Sequence, residues 1–170
     1  MNIKKDQYLQ IYHMFWKKYK WDDLAEGNIV EKDQIGIYQI YGNHAVYGKN
    51  CLLYIGKTVE QGFQNRLDPK QHWDFIINHY SEFSHIHIGT LKKWDDLKEG
   101  GDEKAIITKI EKLLINAHTP AFNSMEIKGL YPYEEDNQFI LLNWLEHGDL
   151  LPEVSTLRYS EKCWNSVNYP

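Results

Sequence analysis

The chain has 170 residues and a formal net charge of −5. That length supports one domain with a sizeable core, and no run of about 20 apolar residues is present to span a membrane. The acidic total excludes a general basic coat for nucleic acid, although a local patch or a bound divalent cation can reverse the sign at one site. The opening segment, Met1 to Gln7, leads into no apolar run with a small-residue cleavage site, so no signal peptide is expected. Cys51 and Cys163 are far apart, which argues against a disulfide framework. The expected setting is reducing and cytoplasmic.

Positions 6–20 predict a helix, because Tyr8, Tyr12, Phe15, Trp16 and Tyr19 recur at helical spacing as one aromatic stripe. Lys17, Lys18 and Lys20 follow at its C-terminal end, where cations suit the helix dipole. A solvated end is the plainer reading of that run, and a basic tip on a phosphate backbone the sharper one. Positions 22–33 are acidic and polar and read as a linker. Positions 35–41 and 52–56 are rich in β-branched and aromatic residues, with turn chemistry between them, and predict a hairpin with a long loop. Alternation puts Tyr38 on the face of Gly36 and Ile40, and Tyr54 on that of Leu52 and Gly56. A suitable register sets two phenols side by side, each next to a residue with no side chain. Taken alone, the pair reads as ordinary sheet aromatics.

Thr58 followed by Gln61 has the form of a capping box, so a helix is expected to start there, with Phe63 and Leu67 facing one way and Arg66 beside them. Asp68-Pro69 breaks it, and Trp73, Phe75, Ile76, Ile77 and Tyr80 mark a further helix. Positions 84–89 alternate polar and apolar and predict a third strand, whose His85 and His87 read as solvent-facing. Asp102 caps a long helix to about Ala117. Glu111 falls inside its apolar arc, where an unpaired carboxylate is costly; it calls for a cation partner, or sits at the rim and reaches water. Positions 118–123 begin a loop. Positions 134–147 predict another helix, with Phe139, Ile140, Leu142, Trp144 and Leu145 inward and Gly148 closing it. A short helix is expected within 160–167.

Gly36-Ile37-Tyr38, then Tyr54-Ile55-Gly56-Lys57-Thr58, Arg66, Glu111 and Asn123 stand in the order found in one nuclease family. The arrangement resembles the GIY-YIG endonucleases, over Ile35 to about Ser124. The resemblance implies catalytic roles for Tyr38, Tyr54, Arg66 and Glu111, with Asn123 in support. His72 follows Arg66 at slightly longer spacing than a histidine of the restriction-enzyme members. Lys57 follows the second motif as a basic residue does in some members, so it either touches phosphate or simply starts a helix.

Phosphodiester hydrolysis needs an activated water, stabilised phosphate charge and help for the leaving oxygen. Glu111 suits a hard divalent ion, Mg²⁺ or Mn²⁺, that takes its other ligands from water and phosphate. Arg66 offers a permanently charged fork for phosphate oxygens. Tyr38 is the expected base, provided that nearby positive charge lowers a pKa ordinarily near ~10. Tyr54 is expected to position the water or the phosphate.

The expectation is therefore an α/β (α+β) protein with a small, mainly antiparallel three-stranded sheet flanked by helices. It divides into an N-terminal helical extension (1–34), a nuclease core (35–124) and a C-terminal helical extension (125–170). The expected activity is metal-dependent endonucleolytic cleavage of double-stranded DNA, of restriction or mobile-element type, with one site per chain. A homodimer is the expected partner arrangement, with no membrane and no small-molecule cofactor. The rival readings are a non-catalytic nucleic-acid-binding or protein-interaction module, and a nuclease for structured RNA.

Overall fold

The computed structural model describes residues 10–25, 31, 33–67, 83–92, 102–123 and 138–159. Strands dominate them. The elements are β1 (Gln10–Lys20), α1 (Trp21–Ala25), β2 (Gly36–His44), β3 (Gly48–Thr58), α2 (Phe63–Arg66), β4 (Phe83–Leu91), α3 (Glu103–His118), β5 (Phe139–Leu145) and β6 (Glu153–Ser155), followed by a 3-10 turn, Thr156–Tyr159. The six strands form one curled mixed sheet in the order β3-β2-β4-β1-β5-β6. Only the β1–β5 pair is parallel. The expected three-stranded sheet flanked by helices is thereby overturned. Its three strands are present as β2, β3 and β4, but β1, β5 and β6 extend them.

The two largest departures share one cause. The segments read as helices at 6–20 and 134–147 contribute β1 and β5. Tyr12, Met14 and Trp16 are buried at every second position, as are Phe139, Leu141 and Asn143. A strand with apolar residues on both faces carries an almost unbroken apolar run, and such a run also satisfies a helical stripe. Ile, Tyr, Phe and Trp favour the pleated surface, and pairing with two neighbours decides the contest. Asn143 is accommodated inside because Trp16 Nε1 donates to its Oδ1 at 2.9 Å and its Nδ2 donates to Leu151 O at 2.8 Å. Gly148 does adopt a left-handed φ of 62°, but in a turn after a strand.

Smaller corrections follow. Thr58 ends β3 and donates to Gln61 O, so it caps no helix; α2 begins later, with Gly62 as N-cap and no side-chain cap. The segment 22–33, read as a linker, is helical at its start, where α1 runs from Trp21 to Ala25. The expectation of two solvent-facing histidines fails at His87, which is buried with Nδ1 against Glu146 O; His85 is half-buried and stacks on Tyr41 at 4.7 Å and 8°. The helices expected within 69–80 and 160–167 lie outside the described residues.

Two clusters lie on opposite faces. Met14, Trp16, Ile37, Ile55, Phe139 and Leu141 pack against Ile107, Ile110, Leu113, Leu114 and Ile115 of α3. As expected, α3 is capped by Asp102, which accepts from Lys104 N at 3.1 Å. On the other face Tyr19, Leu24, Tyr38, Ile40, Ile86 and Ile88 pack with Phe63 and Leu67. No helix among the described residues is long and apolar enough to cross a membrane.

Burial sets the pH range of stability. It lowers the pKa of His85 from its ordinary 6.5 to about 4, with Lys18 and His87 adding to the shift. It also lowers His87 and His118. The unfolded chain then binds more protons than the native one below pH 6.5, so stability falls as pH drops through that range. Burial raises Tyr12, Tyr38 and Tyr41 above their ordinary 10.0, so the stability of the neutral phenols is full below pH 10 and lost above it. The urea midpoint should therefore peak near pH 8 and decline towards both about pH 5 and about pH 11; a midpoint unchanged across that span would contradict the burial of these groups.

Candidate active site

Tyr38 lies on β2 with no exposed surface, and Gly56 of β3 stands directly opposite it. A Cβ on Gly56 would come within 2.5 Å of the Tyr38 hydroxyl oxygen and 2.7 Å of Tyr54 Cε1. The two phenols therefore meet over a bare stretch of backbone, with ring centroids 6.1 Å apart and planes tilted by 32°. The side-by-side pair expected from alternation is present. Gly36 serves a different end: a Cβ there would lie 2.2 Å from Gly89 O and 2.9 Å from Phe63 Cζ. Its absence lets β4 approach β2 and lets Phe63 of α2 settle above. Phe63 N donates to Gln34 O at 3.2 Å, which fixes α2 beside the start of β2.

That placement carries Arg66 to Tyr38. Arg66 occupies the last turn of α2 on an exposed position, between the buried Phe63 and Leu67, close enough to Tyr38 for its positive charge to act on the phenol. Sequence alternation puts Lys57 on the α3 side of β3, where its Nζ meets Glu111 Oε2. The cation partner required by Glu111 is therefore Lys57, a residue expected to touch phosphate or to begin a helix. The pair is partly buried, with side chains 28% and 12% exposed. β3 is an edge strand, so a charge on α3 acts past that edge on Tyr38. Tyr38, Tyr54, Arg66, Lys57 and Glu111 are thus brought to one end of the hairpin.

Their balance differs from the expectation for a base. Burial drives the Tyr38 phenol above its ordinary value, and Tyr54 and Glu111 add to the rise. Arg66 opposes it by charge but does not prevail. Tyr38 is protonated at neutral pH. Taking a proton from water requires more positive charge at this spot, or the loss of Glu111's negative charge.

Asn123 touches neither phenol ring in the contacts of the site; it grips the strand behind them. Ile55 N donates to Asn123 Oδ1 at 2.9 Å, and Asn123 Nδ2 donates to Ile55 O at 2.8 Å. Phe122 N donates to Leu53 O at 2.9 Å, so residues 121–123 line the outer edge of β3. Asn123 is a positioning residue for the Tyr54-Ile55-Gly56 stretch. His72 lies outside the described residues.

For a metal, the donor chemistry is a single carboxylate. Glu111 already holds a cation at Oε2, the Lys57 ammonium, so positive charge is accommodated there. Among the described residues no group of three or more His, Cys, Asp or Glu could hold a metal ion. A hard ion such as Mg²⁺ at Glu111 would have to displace the Lys57 ammonium and take its other ligands from water and phosphate oxygens. Gly89 and Gln34, which help fix the site, were not singled out from the sequence, and Phe63 was read only as a helix residue sharing a face with Leu67; the signal for Gly89 was a glycine inside a strand pattern.

No family model, no curated protein and no solved structure matches the chain.

Substitutions at two positions probe this geometry. Gly56→Ala should lower stability by about 1–3 kcal/mol through overpacking against both rings and should disturb any activity that needs them; a variant as stable as the parent would show that the rings are not seated on Gly56. Asn123→Asp keeps the acceptor for Ile55 N but faces Ile55 O with a second acceptor. It should destabilise more than Asn123→Ala, which should itself cost about 2 kcal/mol or more in urea unfolding for two buried main-chain groups left unpaired.

Proposed function

We propose that the chain is a divalent-metal-dependent endonuclease that hydrolyses phosphodiester bonds in DNA and resembles the GIY-YIG nucleases. The observation that carries the reading is the meeting of two phenols, a guanidinium and a carboxylate at one end of a hairpin. Arg66 is exposed and permanently charged, so it takes a phosphate oxygen and orients the scissile group. Tyr54, partly exposed beside Tyr38, positions the phosphate or the attacking water. Tyr38 hydrogen-bonds in its protonated form and accepts a proton only once its pKa is brought down. Glu111 would hold the metal, whose Lewis acidity and charge polarise the phosphate and favour the Tyr38 phenolate. Lys57 releases Glu111 for that role and is left to face the substrate's negative charge.

The chain supplies one such set, so one strand is cut per visit. A duplex break then requires two subunits or a second binding event. A homodimer matches the symmetry of a palindromic site.

One observation favours a second reading. With Lys57 closed on Glu111 and Tyr38 protonated, the fold also serves a module that binds phosphate without cutting it. Supercoiled plasmid incubated with Mg²⁺ or with EDTA separates the two, because only the enzyme gives nicked and then linear product. Glu111→Gln should abolish the Mg²⁺-dependent product without unfolding the protein. Tyr38→Phe should slow cleavage about 10²–10⁴-fold. Because the Tyr38 pKa is raised, the parent rate should climb with pH from 7 to 9, and Tyr38→Phe should flatten that climb. Parent-like rates in both variants would return the two residues to purely structural roles.

A further inference from the structure

The sheet face that carries Tyr38 continues across the molecule. Tyr38 stands opposite Ile88, and Ile88 opposite Lys17. In the next row Thr90 stands opposite Phe15, and Phe15 opposite Trp144. Directly opposed residues share a face, so Lys17, Phe15 and Trp144 lie on the side of Tyr38, away from α3. There the sheet bears an aromatic strip. Trp144 is 44% exposed. His13 lies parallel to it within 7° at 6.0 Å, and Phe15 within 18° at 6.4 Å. Trp144 Nε1 donates to His13 Nδ1 at 3.0 Å, which holds the indole plane and satisfies its one polar atom. Lys92 Nζ stands 5.2 Å from the Phe15 ring centre, and the exposed Lys17, whose Nζ lies 4.0 Å from Glu31 Oε1, sits in the Tyr38 row two residues along β1 from Phe15.

Near-parallel, pre-set rings flanked by ammonium groups match what a single nucleic-acid strand presents: flat bases and regularly spaced phosphates. Base–aromatic stacking tolerates any sequence, and the lysines supply charge for the backbone. A second copy of the chain docked on this strip would instead have to bury Lys17 and Lys92 against their like. The spacing also fits. Three strand steps of about 4.8 Å and two residues along the strand separate Tyr38 from Trp144, roughly 16 Å in all. That is four or five nucleotides at a stacked rise of about 3.4 Å, and fewer if the strand is extended.

We propose that Phe15, His13 and Trp144, with Lys17 and Lys92, form a stacking platform for single-stranded nucleic acid leading from the Tyr38–Arg66 site. The proposal rests on reading that site as directed at phosphodiesters, and its test is independent of cleavage. Fluorescein-labelled (dT)20 and (rU)20 are titrated with the full chain in EDTA, with anisotropy as the readout. Trp144→Ala should weaken binding roughly 5- to 150-fold, and Trp144→Phe should restore most of it. Lys92→Gln should reduce the slope of log Kd against log salt by about 0.7, the contribution of one phosphate on a single strand, while Trp144→Ala leaves that slope unchanged. Equal loss on both oligonucleotides identifies bases and phosphates as the ligand; loss on one alone assigns the platform to that sugar. Parent-like affinity in a folded Trp144→Ala protein overturns the platform, as does an unchanged salt slope in Lys92→Gln should Trp144→Ala fail to fold. A Trp144→Ala effect confined to a monomer–dimer equilibrium in sedimentation also overturns it, in favour of a second copy. Oligonucleotide binding without plasmid cleavage would sink the nuclease reading and leave the platform standing; cleavage without oligonucleotide binding would do the reverse.

Discussion

Everything at the candidate site follows from a bare stretch of backbone at Gly56. Two phenols on neighbouring strands can lie side by side only if the strand beneath them offers no Cβ, and here one would sit 2.5 Å from the Tyr38 hydroxyl. That contact sinks Tyr38 into the sheet, where burial keeps it protonated. It leaves Tyr54 the more exposed of the two. Gly36 acts by a separate route: by letting the Gly89 carbonyl come close, it draws β4 against β2 and leaves room for Phe63, and hence for Arg66.

The site also joins two layers that a sheet normally separates. Tyr38 and Tyr54 face α2, whereas Lys57 and Glu111 lie on the α3 side. The charge of Glu111 is nonetheless felt at Tyr38. Among the described residues, the segment 121–123 lines the outer edge of β3 from Leu52 to Ile55. A side-chain amide does here what a neighbouring strand would otherwise do.

The legible parts of the fold were those with strong local signals: the hairpin, the third strand, and the long helix with its Asp102 cap. The illegible parts were β1 and β5. Their apolar runs satisfy both periods at once, and only the partners on either side, far away in the chain, choose between them. The clue that went unused lies in 139–145, where Asn143 fits the buried alternation of Phe139 and Leu141 but interrupts a helical stripe. Thr58 misled for a related reason: its hydroxyl serves the turn at Gln61, which a spacing rule cannot tell from a cap. At the site, the need of Glu111 for a cation was readable from its apolar surroundings, whereas the identity of that cation depended on strand alternation and the edge position of β3. The aromatic strip was hidden by the same misreading, since Phe15 and Trp144 become neighbours only when both segments are strands.

The place of β1 has a consequence for how the protein is made. It is the first of the described strands in chain order, yet it is central in the sheet, flanked by β4 and β5. Its parallel partner begins at Phe139, more than a hundred residues later. At a synthesis rate of about 5–20 residues per second, β1 waits on the order of ten seconds for that neighbour. β4 can cover one edge earlier, but the other edge of this aromatic segment stays open to other nascent chains until β5 is made. Such long-range pairing closes slowly, so yield in the cell should depend on chaperones that shield β1 rather than on the stability of the finished sheet.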